Sequence, residues 1–206
     1  MIYFYRGFRK AQKMKLTDVV KLKVGSPQFR IKESLLRETP SYNIYSQNDL
    51  EEDLAGIKLT ADQPRQIRTQ EKVTTLVTND VVFSLISGKA AIVNQQHQGY
   101  LYTQNYVVLK PDGQLDERYL VYLLNEDQNI AKQFWFGLQG SSVTKYTVKQ
   151  LRELKLPKLP PMARQTTIGE IYVKQHHLQA LKQRKAQNET LLRLAKLKEA
   201  NQRWTN

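Results

Sequence analysis

Leu151-Arg152-Glu153-Leu154-Lys155-Leu156-Pro157-Lys158-Leu159-Pro160-Pro161 decides how this chain divides. Proline fixes φ, removes an amide donor and disfavours helix at the residue before it. Three prolines within positions 157–161 therefore stop any regular element and leave an extended strap. Beyond the strap, residues 162–203 contain no Pro and a single Gly, Gly169, and are rich in Lys, Gln, Leu and Ala. That composition predicts one long helix. About 40 helical residues span roughly 60 Å at ~1.5 Å each. A unit of ~160 residues has a radius of gyration of only about 15 Å. Such a helix outruns its own domain and projects; the alternative is a break near Asn188 and a hairpin.

Before the strap the elements are short and mixed. Leu16-Thr17-Asp18-Val19-Val20 reads as a short helix or strand ending at Gly25, and Asn43–Ser46 alternates like a strand. The β-rich runs Val73–Val77, Val81–Ile86, Ala90–Val93 and Tyr100–Leu109 follow, with Gly88 and Gly99 between some of them. Asp112-Gly113 closes the last run with turn chemistry. Acidic Asp116 and Glu117 favour a helix start ahead of Tyr119–Leu124, and Ile130–Phe136 reads as another helix ending near Gly137. Thr147 with Gln150 three residues on fits a capping box. The fold expected is α+β: a mixed α/β unit over residues 1–160, then one projecting helix over 161–206 that forms a coiled coil.

The 206 residues carry a formal net charge of +13. Residues 161–206 hold +6 and residues 1–160 hold +7, so the excess is spread along the chain and not concentrated in a basic tail. A field of that sign attracts polyanions, above all nucleic acid. The absence of Cys excludes disulfides and a thiolate zinc site. Apolar Met1–Tyr5 is followed at once by Arg6, Arg9 and Lys10, the reverse of a signal peptide, and no run approaches ~18 apolar residues. No membrane partner and a cytoplasmic location are expected.

Catalytic patterns are scarce. His97, His176 and His177 lack the i, i+4 spacing that holds zinc on a helix and read as ordinary surface histidines; no metal site is expected. No phosphate-binding glycine loop occurs. Asp112, Glu153 and Lys155 offer a weak metal-dependent nuclease pattern, against which Asp112-Gly113 reads better as a turn. The small polar loop Gln139–Lys145 and the Ser87-Gly88-Lys89 turn suit phosphate contacts through backbone amides, hydroxyls and lysine. Candidate DNA-contacting residues are Arg65, Arg68, Lys89, Ser141, Ser142 and Lys145. On the long helix, Ile168, Ile171, Leu178 and Leu181 form one apolar stripe, Lys182–Thr190 is polar, and Leu191, Leu192, Leu194 and Leu197 restore an apolar face.

The order of these pieces resembles the specificity subunits of type I restriction–modification systems over nearly the whole chain. The family opening L-x-D-[VI]…G-x-P is matched by Leu16-Thr17-Asp18-Val19 and Gly25-Ser26-Pro27. Its middle segment is matched by Asn79–Ser84, Gly88–Val93 and Asn105–Leu109, and its "yl-x-y-l" helix by Arg118–Leu124. The strongest match is Gly140-Ser141-Ser142, then Leu151–Pro161, then Arg164-Gln165-Thr166-Thr167-Ile168. Asn79 stands where the family has Gly, and Met1–Lys13 lacks the Pro-x-x-W lead-in.

That resemblance implies a non-catalytic chain that reads one part of a split site on double-stranded DNA. Its helix serves as spacer and as docking surface for methyltransferase subunits, with a restriction/motor subunit as a further partner. S-adenosylmethionine, ATP and magnesium are expected on those partners and no cofactor on this chain. Full-length members carry two recognition domains and two long helices. This chain has one of each and is expected to be a half-length subunit, or else a truncated piece of a longer one. It would pair through Ile168, Ile171, Leu178, Leu181, Leu191 and Leu194, as a homodimer or with a second half-subunit. The competing functions are a stand-alone DNA-binding regulator or antirestriction decoy of the same fold, and the small nuclease.

Overall fold

The computed structural model describes residues 14–36, 38–59, 63–138 and 146–205. Its elements in order are α1 (Leu16–Val19), β1 (Val20–Val24), β2 (Ser41–Asn43), α2 (Gln47–Ala55), β3 (Gln66–Arg68), β4 (Val81–Ser84), β5 (Ala90–Ile92), β6 (Tyr106–Pro111), α3 (Glu117–Glu126), α4 (Gln128–Leu138), α5 (Val148–Glu153) and α6 (Met162–Thr205). The fold is α+β, with a long C-terminal helix.

The main sheet has the order β1-β6-β4-β5, and every neighbouring pair is antiparallel. Val81 pairs with Leu109 and with Ile92, and Val20 pairs with Pro111. Successive side chains of a strand point to opposite faces. Val81 and Phe83 of β4 and Val107 and Leu109 of β6 therefore meet α1, α3, α4 and α5 on one face, around Leu16, Leu120, Ile130 and Leu151. Val82 and Val108 meet Tyr45, Leu50 and Tyr102 on the other. Covering both faces is what makes these strands uninterrupted apolar runs. A second, two-stranded sheet pairs β2 with β3.

Several sequence expectations are corrected here. The alternating segment at 43–46 is not a strand: β2 ends at Asn43, and Ser46 caps α2, a helix the apolar periodicity does not announce. The run Val73–Val77 makes only a bridge, Thr75 to Leu101, and Tyr100–Leu109 becomes a strand only from Tyr106. Leu101 is shared between bridges to Ile44 and Thr75, and two partners of one residue each do not extend into a ladder. Leu16–Val20 is both alternatives in succession, a helical turn that enters β1. The capping box at Thr147 and Gln150 forms as the spacing predicts. Asn79 adopts φ 70°, the left-handed conformation that Asn tolerates better than most residues. Its place at a family glycine thus has a backbone cause.

The proline strap ties the two ends of the unit together. The Leu16 amide donates to the Leu154 carbonyl (2.8 Å) and the Leu156 amide to the Met14 carbonyl (2.8 Å). At the strap's exit Gln165, 2 % exposed, accepts from the Asp116 amide (3.1 Å) and donates to the carbonyls of Gln114 (3.1 Å) and Pro160 (2.9 Å). Asp116 itself caps α3 through the Arg118 and Tyr119 amides and accepts from Thr166 Oγ1 (3.0 Å). Gly169 then lets α6 lie on α3: a Cβ there would stand 2.6 Å from the Tyr119 backbone nitrogen. After Ala180 every described side chain of α6 is exposed, and the helix continues unbroken to Thr205.

Candidate nucleic-acid interface

Of the residues chosen from sequence for DNA contact, Arg65 and Lys89 line different cavities. Arg65 precedes β3 and lines a cavity of about 270 Å³ beside α2, together with Lys58, Gln96 and Tyr100. Arg68 lies on β3 itself and not in a loop; it is exposed while its carbonyl accepts from the Ser34 amide (2.8 Å). Lys89 is exposed on the turn between β4 and β5 and lines a different groove, with Lys132 and Trp135 of α4. Ser141, Ser142 and Lys145 lie outside the described residues.

The wall of the first cavity holds chemistry the sequence reading missed. His97 is not a surface histidine: it is 3 % exposed, on a single turn of 3-10 helix after β5. Its Nδ1 lies 2.8 Å from Asp53 Oδ1, and its Nε2 3.3 Å from Asp49 Oδ1 and 3.6 Å from Glu52 Oε2. All three carboxylates come from α2, at i, i+3 and i+4 on one helical face. Asp53 also accepts from Tyr45 Oη (2.7 Å) and the Asn94 amide (2.9 Å). Burial pushes the His97 imidazole down, but the hydrogen bonds and charges of Asp49 and Asp53 outweigh it and raise the group to about 9. Burial acts to raise Asp49, and His97 and Ser46 outweigh it and hold that carboxyl below its ordinary range. The imidazolium is therefore the ordinary state and ties α2 to the β5 exit.

Asp49, Glu52 and His97 each present one donor atom within 4.8 Å of the other two, a set with the composition to hold a divalent cation. Protonated His97 satisfies the same carboxylates without one. The signal available in the sequence was the Ser46-Gln47-Asn48-Asp49 capping box, whose Asp49 carboxylate accepts from the Ser46 amide (2.7 Å).

The nuclease pattern is held in local structure. Asp112 Oδ1 accepts from the Gln114 amide (3.0 Å) within the turn, and Glu153 pairs with Lys149 along α5 (4.0 Å). His176 and His177 are half-buried on α6, packed against Tyr172 and bonded to the Ala55 carbonyl (3.1 Å) respectively.

On α6, Ile168 packs against the chain's own core, whereas Ile171, Leu178, Leu181, Leu191, Leu192, Leu194 and Leu197 are exposed. At about 100° per residue, Ile171 and Leu178 face away from buried Ala180, while Leu191 and Leu194 continue the side on which Ala180 meets the domain. Leu192 and Leu197 flank that side, one on each edge. The exposed leucines beyond the domain thus occupy more than half the helix circumference, and no single partner helix covers them.

The model of one protein family, the type I restriction modification DNA specificity domain, matches residues 9–193. A solved chain, described under complex assembly and conformational transition of the type I R-M system, superposes with a TM-score of 0.57 at 20 % identity, over 91 % of this chain and 43 % of that one. The HsdS subunit from Thermoanaerobacter tengcongensis gives 0.49 at 20 % identity, over 91 % and 42 %. The type I S subunit from M. genitalium gives 0.44 at 17 %, over 77 % and 37 %. The chain spans less than half the length of these solved proteins. No curated protein matches the sequence. Among the described residues, no helix is long and apolar enough to cross a membrane.

Proposed function

The chain belongs to the type I restriction modification DNA specificity domain family, and from that footing we propose that it reads DNA sequence for a type I restriction–modification complex without catalysing a reaction itself. One observation carries this reading: a basic α+β unit is joined, through a proline strap, to a 44-residue helix whose described side chains beyond Ala180 are all exposed. A stand-alone reader has no use for apolar residues on so much of that helix.

In this reading residues 1–160 form the recognition domain and residues 161–206 the spacing and docking helix. Arg65, Arg68, Lys89 and Lys145, with the hydroxyls of Ser141 and Ser142, supply phosphate contacts, and these fix register while base-edge contacts specify sequence. The exposed leucines of α6 take a second copy of this helix on one side and methyltransferase subunits on the others. Two copies related by a two-fold axis place identical recognition domains at opposite ends, so the target is an inverted repeat with a fixed gap. S-adenosylmethionine chemistry, and any ATP- and magnesium-dependent translocation and cleavage, belong to the partner subunits.

Methylome sequencing of cells with and without the gene tests the proposal. The expected result is a two-part methylated motif that disappears with the gene. An unchanged methylome overturns the reading. A two-part motif without inverted symmetry retains sequence reading but replaces the second copy with a different recognition chain.

A further inference from the structure

Helix α4 ends in Phe134-Trp135-Phe136, and only the first of these aromatics serves the core. Phe134 is buried and stacks on Phe83 (5.6 Å between ring centres, 20° between planes). Trp135 and Phe136 emerge beside it, 59 % and 64 % exposed, with their rings edge to face at 5.4 Å. Two adjacent aromatics left mostly in water forgo the gain that burial gives an apolar ring, and packing among the described residues gives no reason for them.

Trp135 forms one wall of a groove of about 500 Å³ between α4 and the Ser87–Lys89 turn. Exposed Lys89 and Lys132 line it, and among the described residues no carboxylate does. An apolar wall set between cations, on a chain of net charge +13, is complementary to a polyanion that also offers flat apolar surface. Nucleic acid has both: phosphates for the lysines, bases and sugars for the rings. A polyanion without bases satisfies only the lysines, and an ordinary protein surface satisfies only the rings.

We infer that this groove receives duplex DNA, with Trp135 and Phe136 inserted against base or sugar surface and with Lys89 and Lys132 on the flanking phosphates. The inference rests on the DNA-reading proposal and goes further, because it assigns an aromatic wedge and so a local opening of base stacking at the site. Apolar side chains that enter a base step unstack it and bend the duplex, and the energetic cost depends on the step being opened. Trp135 and Phe136 thereby contribute to sequence preference without a hydrogen bond to any base.

Trp135 and Trp204 are the protein's two tryptophans, so a Trp204→Phe protein reports from Trp135 alone. Titrated at low salt with a fluorescein-labelled mixed-sequence duplex, its tryptophan emission is expected to fall with the midpoint that the label's anisotropy gives. Heparin, a polyanion without bases, is expected to leave the emission unchanged. Trp135→Ala/Phe136→Ala is expected to weaken duplex affinity about ten-fold. Binding with no change at Trp135 overturns the wedge and leaves DNA reading intact, whereas no binding at all overturns both. Equal quenching by heparin reduces the groove to a charge effect and overturns it. A double-alanine protein that keeps full duplex affinity but no longer co-purifies with its methyltransferase subunit overturns it in favour of a protein-docking surface.

Discussion

His97 shows how much of a residue's role depends on neighbours distant in sequence. Its ring lies among Asp49, Glu52 and Asp53, more than forty positions away. Nothing in a lone histidine of a polar segment points to that enclosure, and surface exposure was the natural reading. The folded-state value of about 9 lies above the ordinary 6.5. A group raised on folding adds stability in full below its unfolded value and loses it as pH climbs through the folded one. The window for this protein therefore opens near 6.5 and closes near 9, with on the order of 3 kcal/mol at stake. Urea unfolding at a series of pH values is expected to show stability falling across that window. His97→Leu, which leaves buried Asp53 and half-buried Asp49 without the imidazolium they face, is expected to cost about 3–5 kcal/mol at neutral pH and to flatten the dependence. A variant as stable as the parent at pH 7 would sink the imidazolium account.

Among the elements, those that carry their own boundary chemistry were readable in the sequence. Thr147 with Gln150, Asp116 before α3, and the Pro-free stretch after Pro161 each state a helix start in local terms, and the structure places helices there. Segments that owe their shape to partners were not readable. Helix α2 is largely polar because its acidic face turns inward onto His97, which reverses the usual pattern. Residues 73–77 and 100–105 have strand-like composition but serve as single-residue bridges. For α6 the leucines were legible and their arrangement was not, since Ile168 turned out to belong to the domain. Leu191 and Leu194 are exposed and stand on the side that continues the domain face. Leu191→Lys/Leu194→Lys is therefore expected to yield monomers by light scattering with an unchanged melting temperature. Should that protein and Leu178→Lys/Leu181→Lys both remain dimeric, α6 is not the seam.

For the whole molecule, charge was the most informative property of the sequence, and its location the least. The net charge of +13 predicts attraction to DNA but not which face meets it, and Arg65 and Lys89 line different cavities. Four phosphate contacts give a salt slope of about −3.6, so affinity for duplex DNA is expected to fall about 100-fold between about 50 and 200 mM salt. Anisotropy titrations across that range check it, and a flat response rules out phosphate-led binding. One further consequence follows from Gln165, whose buried amide clamps the strap and the cap of α3 at the root of α6. The part of α6 beyond the domain is roughly 37 Å long. Over such a lever a tilt of about 5° at the root displaces the tip by about 3 Å, close to one base-pair rise. In the proposed pairing of two copies, angular play at a single glutamine becomes tolerance in the gap between half-sites, and the exactness with which that complex would measure DNA is set where the arm is hinged.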